Sequence, residues 1–117
     1  MQRVAFIMRL KEGQQQEYIK RHKNIWPEIL SELKISGVQN MSIFMAGLQL
    51  FLFMEVADYA KAARVLAESP DSQRWEEYMA PIMEDANGEP YDPANAYPEG
   101  LPEVFHWQAV KNNDDCY

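Results

Sequence analysis

The sequence predicts an α+β domain on an antiparallel sheet, and three observations carry that expectation. Side chains alternate with a period of two at residues 4–10 and again at 48–57, as strands do. Between these stretches, Tyr18, His22, Ile25, Ile29 and Leu33 recur at spacings of three and four, which marks one face of a helix. Glycine, proline and capping residues then punctuate the chain into the order strand, helix, strand, strand, helix, strand.

The first strand, residues 4–10, sets Val4, Phe6, Met8 and Leu10 on one face and Ala5, Ile7 and Arg9 on the other. Lys11, Glu12 and Gly13 turn the chain into helical residues 14–36, which Pro27 interrupts. Proline lacks the N–H of an interior helical bond and disfavours helical geometry at Trp26, so a kink or a second helix is expected there. Gly37 closes the element, and residues 40–45 form the second strand. Ala46 and Gly47 turn it into the third, residues 48–57, completing a hairpin. Asp58 is expected to cap a helix through Leu66, and Ser69 a further one that starts at Pro70 and ends at Met83. Residues 85–102, with Pro90, Pro93, Pro98 and Pro102, read as an irregular insertion. Residues 103–110 read as the last strand, and 111–117 as a flexible polar tail.

This order is the ferredoxin-like βαββαβ plan, with helices on one face of the sheet. Apolar residues on both faces of the first and third strands suggest that a second copy covers the open face, so a homodimer is expected. With 117 residues, 47% hydrophobic and 25% charged, residues 1–117 make one ordinary globular domain.

A net charge of −7 excludes a phosphate-backbone binder, which needs clustered Lys and Arg, so no nucleic-acid partner is expected. The exception is Lys20-Arg21-His22-Lys23, a basic run whose ordinary role is a solvated helix face. No stretch approaches the ~20 apolar residues of a membrane span, and residues 1–6 do not read as a secretion signal. With a single cysteine, Cys116, no intrachain disulfide forms, and the cytoplasm is the expected compartment.

Tyr18, His22 and Trp26, four residues apart, could border one concavity. Spacing alone leaves His22 open between a structural histidine and an acid/base group. An imidazole with a phenol and an indole would suit a sugar, because aromatic faces stack on the C–H surface of a pyranose. Trp75 and Met79 share a helical face, with Glu76 and Glu77 expected to point outward. Glu55 shares its strand face with Phe51 and Phe53, and in a pocket it could accept sugar hydroxyls or orient His22. His22, His106 and one terminal cysteine give no metal-ligand spacing. Neither a phosphate-cradling glycine loop nor a nucleophile elbow is present, which leaves acid/base chemistry without a cofactor or metal.

Residues 17–29, reading EYIKRHKNIWPEI, resemble the signature of the L-rhamnose mutarotase family. The likeness continues through VAFIM at 4–8, GVQNMSIF at 37–44, QRW at 73–75 and EVF at 103–105. It implies a dimeric α/β barrel of ferredoxin-like subunits, and aldose 1-epimerisation of a monosaccharide without a cofactor. By the same resemblance His22 is the catalytic histidine and the candidate acid for the ring oxygen, while Tyr18 and Trp75 bind the sugar. Asn40, Glu55 and Glu76 join the expected substrate-binding set. Rhamnose-specific members commonly carry a tyrosine where this chain has Met41 and a second tryptophan where it has Glu76. Residues 37–44, 51–56 and 75–77 look closer to the L-fucose mutarotases of the superfamily. The expected substrate is therefore a 6-deoxy-L-hexopyranose, L-fucose ahead of L-rhamnose. Two alternatives stand beside it: a non-catalytic sugar-binding or regulatory dimer and, by fold analogy alone, a cofactor-free oxygenase.

Overall fold

The computed structural model describes residues 1–109. Its element order is β1 (Gln2–Leu10), α1 (Gln15–Lys23), α2 (Pro27–Ile35), β2 (Val38–Ala46), β3 (Gln49–Val56), α3 (Tyr59–Glu68), α4 (Pro70–Met79) and β4 (Met83–Glu84), with 3₁₀ turns at Ala80–Ile82 and Pro93–Asn95. The four strands form one antiparallel sheet in the order β2-β3-β1-β4, the arrangement that the βαββαβ plan requires.

Pairing of β1 with β3 runs without a slip from Gln2↔Val56 to Arg9↔Gln49. Strict alternation then buries Phe6, Met8 and Leu10 beside Leu50, Leu52, Met54 and Val56. The helices cover this face with Ile29, Ala62, Trp75 and Met79, which belong to the same core. Leu50, Met54 and Val56 are wholly removed from solvent, each a gain of ~1.5–3 kcal/mol for its side chain. On the opposite face Phe44 remains 63% exposed and Phe51 37%. Between Val38 and Asn40 a register shift lets one extra residue of β2 slip past β3, and Asn40 comes to pair with Glu55.

Pro27 starts a second helix instead of kinking the first. Trp26 takes extended geometry (φ −65°, ψ 134°) and caps α2, as a residue before proline is disposed to do. Gly37, at φ 98°, ends that helix in the left-handed region that only glycine enters without strain. Asp58 and Ser69 cap α3 and α4, their side chains accepting from Lys61 and Ser72 N–H.

Two expectations fail. α4 stops at Met79 rather than Met83, because Pro81 cannot donate the next helical bond and the chain tightens into a 3₁₀ turn. The last strand among the described residues is the short β4, bonded to Arg9 and Leu10; of the expected strand 103–110, residues 103–109 are described and form none. After Glu84 the chain runs irregularly back along β1, where Leu101 N–H donates to Ala5 O at 2.7 Å. Gly100 passes so close that an added Cβ would sit 2.9 Å from Val4 Cγ1. Residues 103–109 then lie exposed, alternating in pattern but without a strand to pair with among the described residues. The expected tail, 111–117, lies outside the described residues, as do Val110 and Cys116. Among the described residues no helix is long and apolar enough to cross a membrane.

Candidate active site

Two sequence features set up the site: a four-residue spacing in α1 and a proline that redirects the chain after it. Tyr18 and His22 stand one above the other on the face of α1 turned to the sheet, rings stacked at 4.2 Å and 29°. The break before Pro27 swings Trp26 against α4, stacked on Tyr78 at 5.4 Å and edge-on to Trp75 at 5.1 Å. Trp75 in turn meets the edge of His22 at 5.6 Å and 83°. The imidazole is thereby held between the Tyr18 phenol and the Trp75 indole, whereas Trp26, expected to border the same concavity, packs behind Trp75 and lines neither the cavity nor the groove that His22 borders.

Arg21 locks α1 against α4. It is not the solvated cation expected of the basic run: its Nη1 donates to Tyr78 O at 2.7 Å, its Nε to Glu17 at 2.8 Å, and its guanidinium lies 3.9 Å over the Tyr78 ring. Lys20 and Lys23 are exposed, as expected.

The His22 Nδ1 sits 3.1 Å from the carbonyl oxygen of Tyr18. A carbonyl can only accept, so Nδ1 carries the hydrogen and Nε2 is the free nitrogen. Burial lowers the imidazole pKa from its ordinary value, which leaves His22 neutral at pH 7 with its Nε2 lone pair available. Tyr18 is buried, and burial with the nearby Glu76 charge raises its phenol pKa, so it stays a neutral donor.

Glu76 corrects the expectation of an outward-facing acid. It is 8% exposed, whereas Glu77 is the solvated one. The reason lies in the insertion, which packs over the helical face instead of projecting from it. Tyr91 donates its hydroxyl to Glu76 Oε1 at 2.6 Å, Tyr97 meets the edge of Phe6 at 6.2 Å, and Tyr59 donates to Pro98 O at 2.6 Å. Burial pushes the Glu76 carboxyl up to about 7, the Tyr91 hydrogen bond acting against this. His22, Tyr18, Trp75, Glu76, Tyr91 and Tyr97 together line a cavity of about 80 Å³. It adjoins a larger open groove of about 930 Å³ between α1, α2 and β2, and Tyr18, His22 and Met41 border both.

Glu55 is not brought to His22. The β3 alternation turns Glu55 to the sheet face away from the helices, opposite Arg3 and in line with Phe51 and Phe53. The Asn40 amide donates to its carboxylate there, and Asn40 also lines the groove together with Tyr18 and His22. Tyr91 and Tyr97 are the site residues that sequence reasoning missed. Their one signal is being two tyrosines in a proline-rich segment that otherwise holds mostly small and polar residues. Among the described residues no group of three or more His, Cys, Asp or Glu side chains is placed to hold a metal.

A model described as L-rhamnose mutarotase matches residues 3–107. This chain belongs to the L-rhamnose mutarotase family. The L-rhamnose mutarotase of Listeria monocytogenes serotype 4b is 47% identical over 85 residues, 71% of this chain and 81% of that protein. That of Opitutus terrae is 39% identical over 108 residues, covering 91% and 98%. A crystal structure of the L-rhamnose mutarotase of Formosa agariphila superposes with a TM-score of 0.73 at 33% identity, covering 92% of this chain and all of that one. The chain is accordingly a sugar mutarotase, an isomerase acting on carbohydrates. Its expected leaning toward L-fucose finds no support, since these relatives carry the name of L-rhamnose.

Proposed function

We propose that this mutarotase interconverts the α and β anomers of a 6-deoxy-L-hexopyranose, with L-rhamnose as its substrate. The observation that carries the reading is His22, neutral and with a free Nε2, facing a cavity walled by aromatic rings and phenol hydroxyls. Anomer exchange opens the C1–O5 bond: a proton leaves the anomeric hydroxyl, another reaches O5, and rotation about C1–C2 lets the ring reclose on the other face. His22 is the acid/base group for these transfers, which such groups speed by about 10²–10⁴-fold. Trp75 offers an apolar wall to the sugar's C–H surface, and Tyr18 and Glu76 offer polar partners to its hydroxyls. The names of the relatives favour L-rhamnose. Met41 on the groove wall and Glu76 in the cavity are where discrimination among 6-deoxy sugars is expected, because a buried polar group left unpaired rejects the wrong hydroxyl pattern.

Saturation-transfer NMR on the anomeric protons of L-rhamnose, L-fucose and D-galactose, run side by side, tests this reading. Acceleration is expected with L-rhamnose above the other two. Sugar binding without exchange, or no effect on either deoxy sugar, would overturn it.

The homodimer belongs to the same proposal. Phe44 and Phe51 on the open sheet face, and Val104, Phe105 and Trp107 at 93%, 79% and 71% exposure on the terminal arm, support a second copy as their cover. Asn40 and Glu55, on that open face, would then lie at or near the interface. Sedimentation at micromolar concentration is expected to give twice the 13.6 kDa chain mass, and a monomer would sink this part.

A further inference from the structure

We propose that Glu76 is the second proton-transfer group of the site, giving a proton to the ring oxygen while His22 takes one from the anomeric hydroxyl, and that Tyr91 is the positioning residue that aims it. The inference rests on the mutarotase reading above and reverses the role of acid expected of His22.

The geometry begins with the two hydrogen bonds. His22 spends its Nδ1 hydrogen on Tyr18 O, so its free nitrogen is an acceptor, a base and not an acid at neutral pH. An acid must then come from elsewhere on the cavity wall. Glu76 is a carboxyl 8% exposed on a wall with no lysine or arginine to balance a charge. Among the described residues only the Tyr91 hydroxyl donates to it, and to Oε1 alone. With Oε1 occupied as an acceptor, a proton on the carboxyl resides on Oε2, the oxygen left free for a ligand. The titratable groups that face Glu76 are Tyr18 and His22 from α1 and Tyr91 and Tyr97 from the insertion. The strands contribute Met8, Met41, Ile43, Leu52 and Met83, none of them charged. Those surroundings hold the carboxyl pKa at about 7, where protonated and ionised forms are both well populated.

In the ring-opening step the O1–H bond breaks and its proton goes to His22 Nε2. The electron pair of that bond forms C1=O1, the C1–O5 pair withdraws onto O5, and O5 takes the Glu76 proton. An imidazolium and a carboxylate remain across the cavity; burial disfavours each charge by itself, and their mutual attraction offsets part of that cost. After rotation about C1–C2, O5 attacks the other face of C1 and returns its proton to Glu76, while His22 returns the first to O1. Both groups end as they began, and nothing else is consumed.

The test is the pH profile of the exchange rate on L-rhamnose, with the buffer-catalysed rate subtracted. In the unaltered enzyme the rate should rise as His22 loses its proton below pH 6.5 and fall as Glu76 ionises near 7. Glu76→Gln keeps the size of the side chain but has no proton to transfer. It should lower kcat by about 10²-fold or more with little change in KM, and abolish the alkaline limb. Tyr91→Phe removes the hydrogen bond that lowers the Glu76 pKa, so it should move the alkaline limb to higher pH and keep activity there. A flat alkaline side in the active wild type overturns the proposal without any variant. So does Glu76→Gln acting on KM alone, which would make Glu76 only a sugar contact. A wild type inert toward both L-rhamnose and L-fucose overturns this inference together with the reading on which it rests.

Discussion

Replacing His22 with alanine is expected to lower the enzyme-catalysed exchange rate by about 10²–10⁴-fold, the largest functional effect of any single substitution here. The loss should fall on kcat, since the imidazole moves a proton in the transition state, while the aromatic walls that hold the sugar, Trp75 and Tyr18, remain. His22→Asn makes the complementary test. Its amide can still donate to Tyr18 O, preserving the local geometry, but it cannot exchange a proton near neutral pH. Both variants should be equally slow on anomeric-proton exchange NMR, with unchanged circular dichroism. If the asparagine enzyme kept its full rate, His22 would be an orienting group and the proton carrier would have to be sought elsewhere in the cavity.

Trp75→Ala is expected to cost about 3–5 kcal/mol of folding stability, the range for deleting a buried indole. Trp75 is 6% exposed and joins three elements, touching His22 on α1, Trp26 before α2 and Tyr78 on its own helix. Its loss would open a void where α1, α2 and α4 converge. In urea, with a slope of ~1–3 kcal/mol per molar, the unfolding midpoint should drop by more than about 1 M. Trp75→Phe refills part of the volume and should restore much of the stability while weakening sugar affinity. Equal midpoints for Trp75→Ala and the wild type would show that the three helices do not depend on this contact.

Much of the fold was legible because its signals are local. Period-two alternation marked β1 and β3 within a residue or two, Pro27 marked the junction of α1 and α2, and Asp58 and Ser69 marked the starts of α3 and α4. Pro81 carried the same kind of signal, and the end of α4 was misplaced because the helical face was followed past it. The last strand was misread for another reason. Residues 103–109 have a strand's pattern, but a strand exists only where a neighbour supplies the ladder, and the described residues offer none there.

The site divides along the same line. The Tyr18–His22 pair follows from a four-residue spacing, and the resemblance of residues 17–29 to known mutarotases implies the chemistry proposed for it. Glu76 could not be placed from the sequence. Its helix position suggests solvent, and only the folding of a proline-rich segment over α4 puts Tyr91 against it and buries it. Glu55 is half-buried beside Phe53 as its strand position suggests, but alternation along one strand does not say which side of the sheet meets the helices, and its side turns away from them.

The sequence by itself therefore determined the order of elements, because spacing, capping and proline act over a few residues, and the family, through the motif at residues 17–29. Only the tertiary structure decided which carboxyl shares the cavity with His22. Burial, proton affinity and mutual reach depend on segments distant along the chain, here α1, α4 and the insertion, meeting at one place.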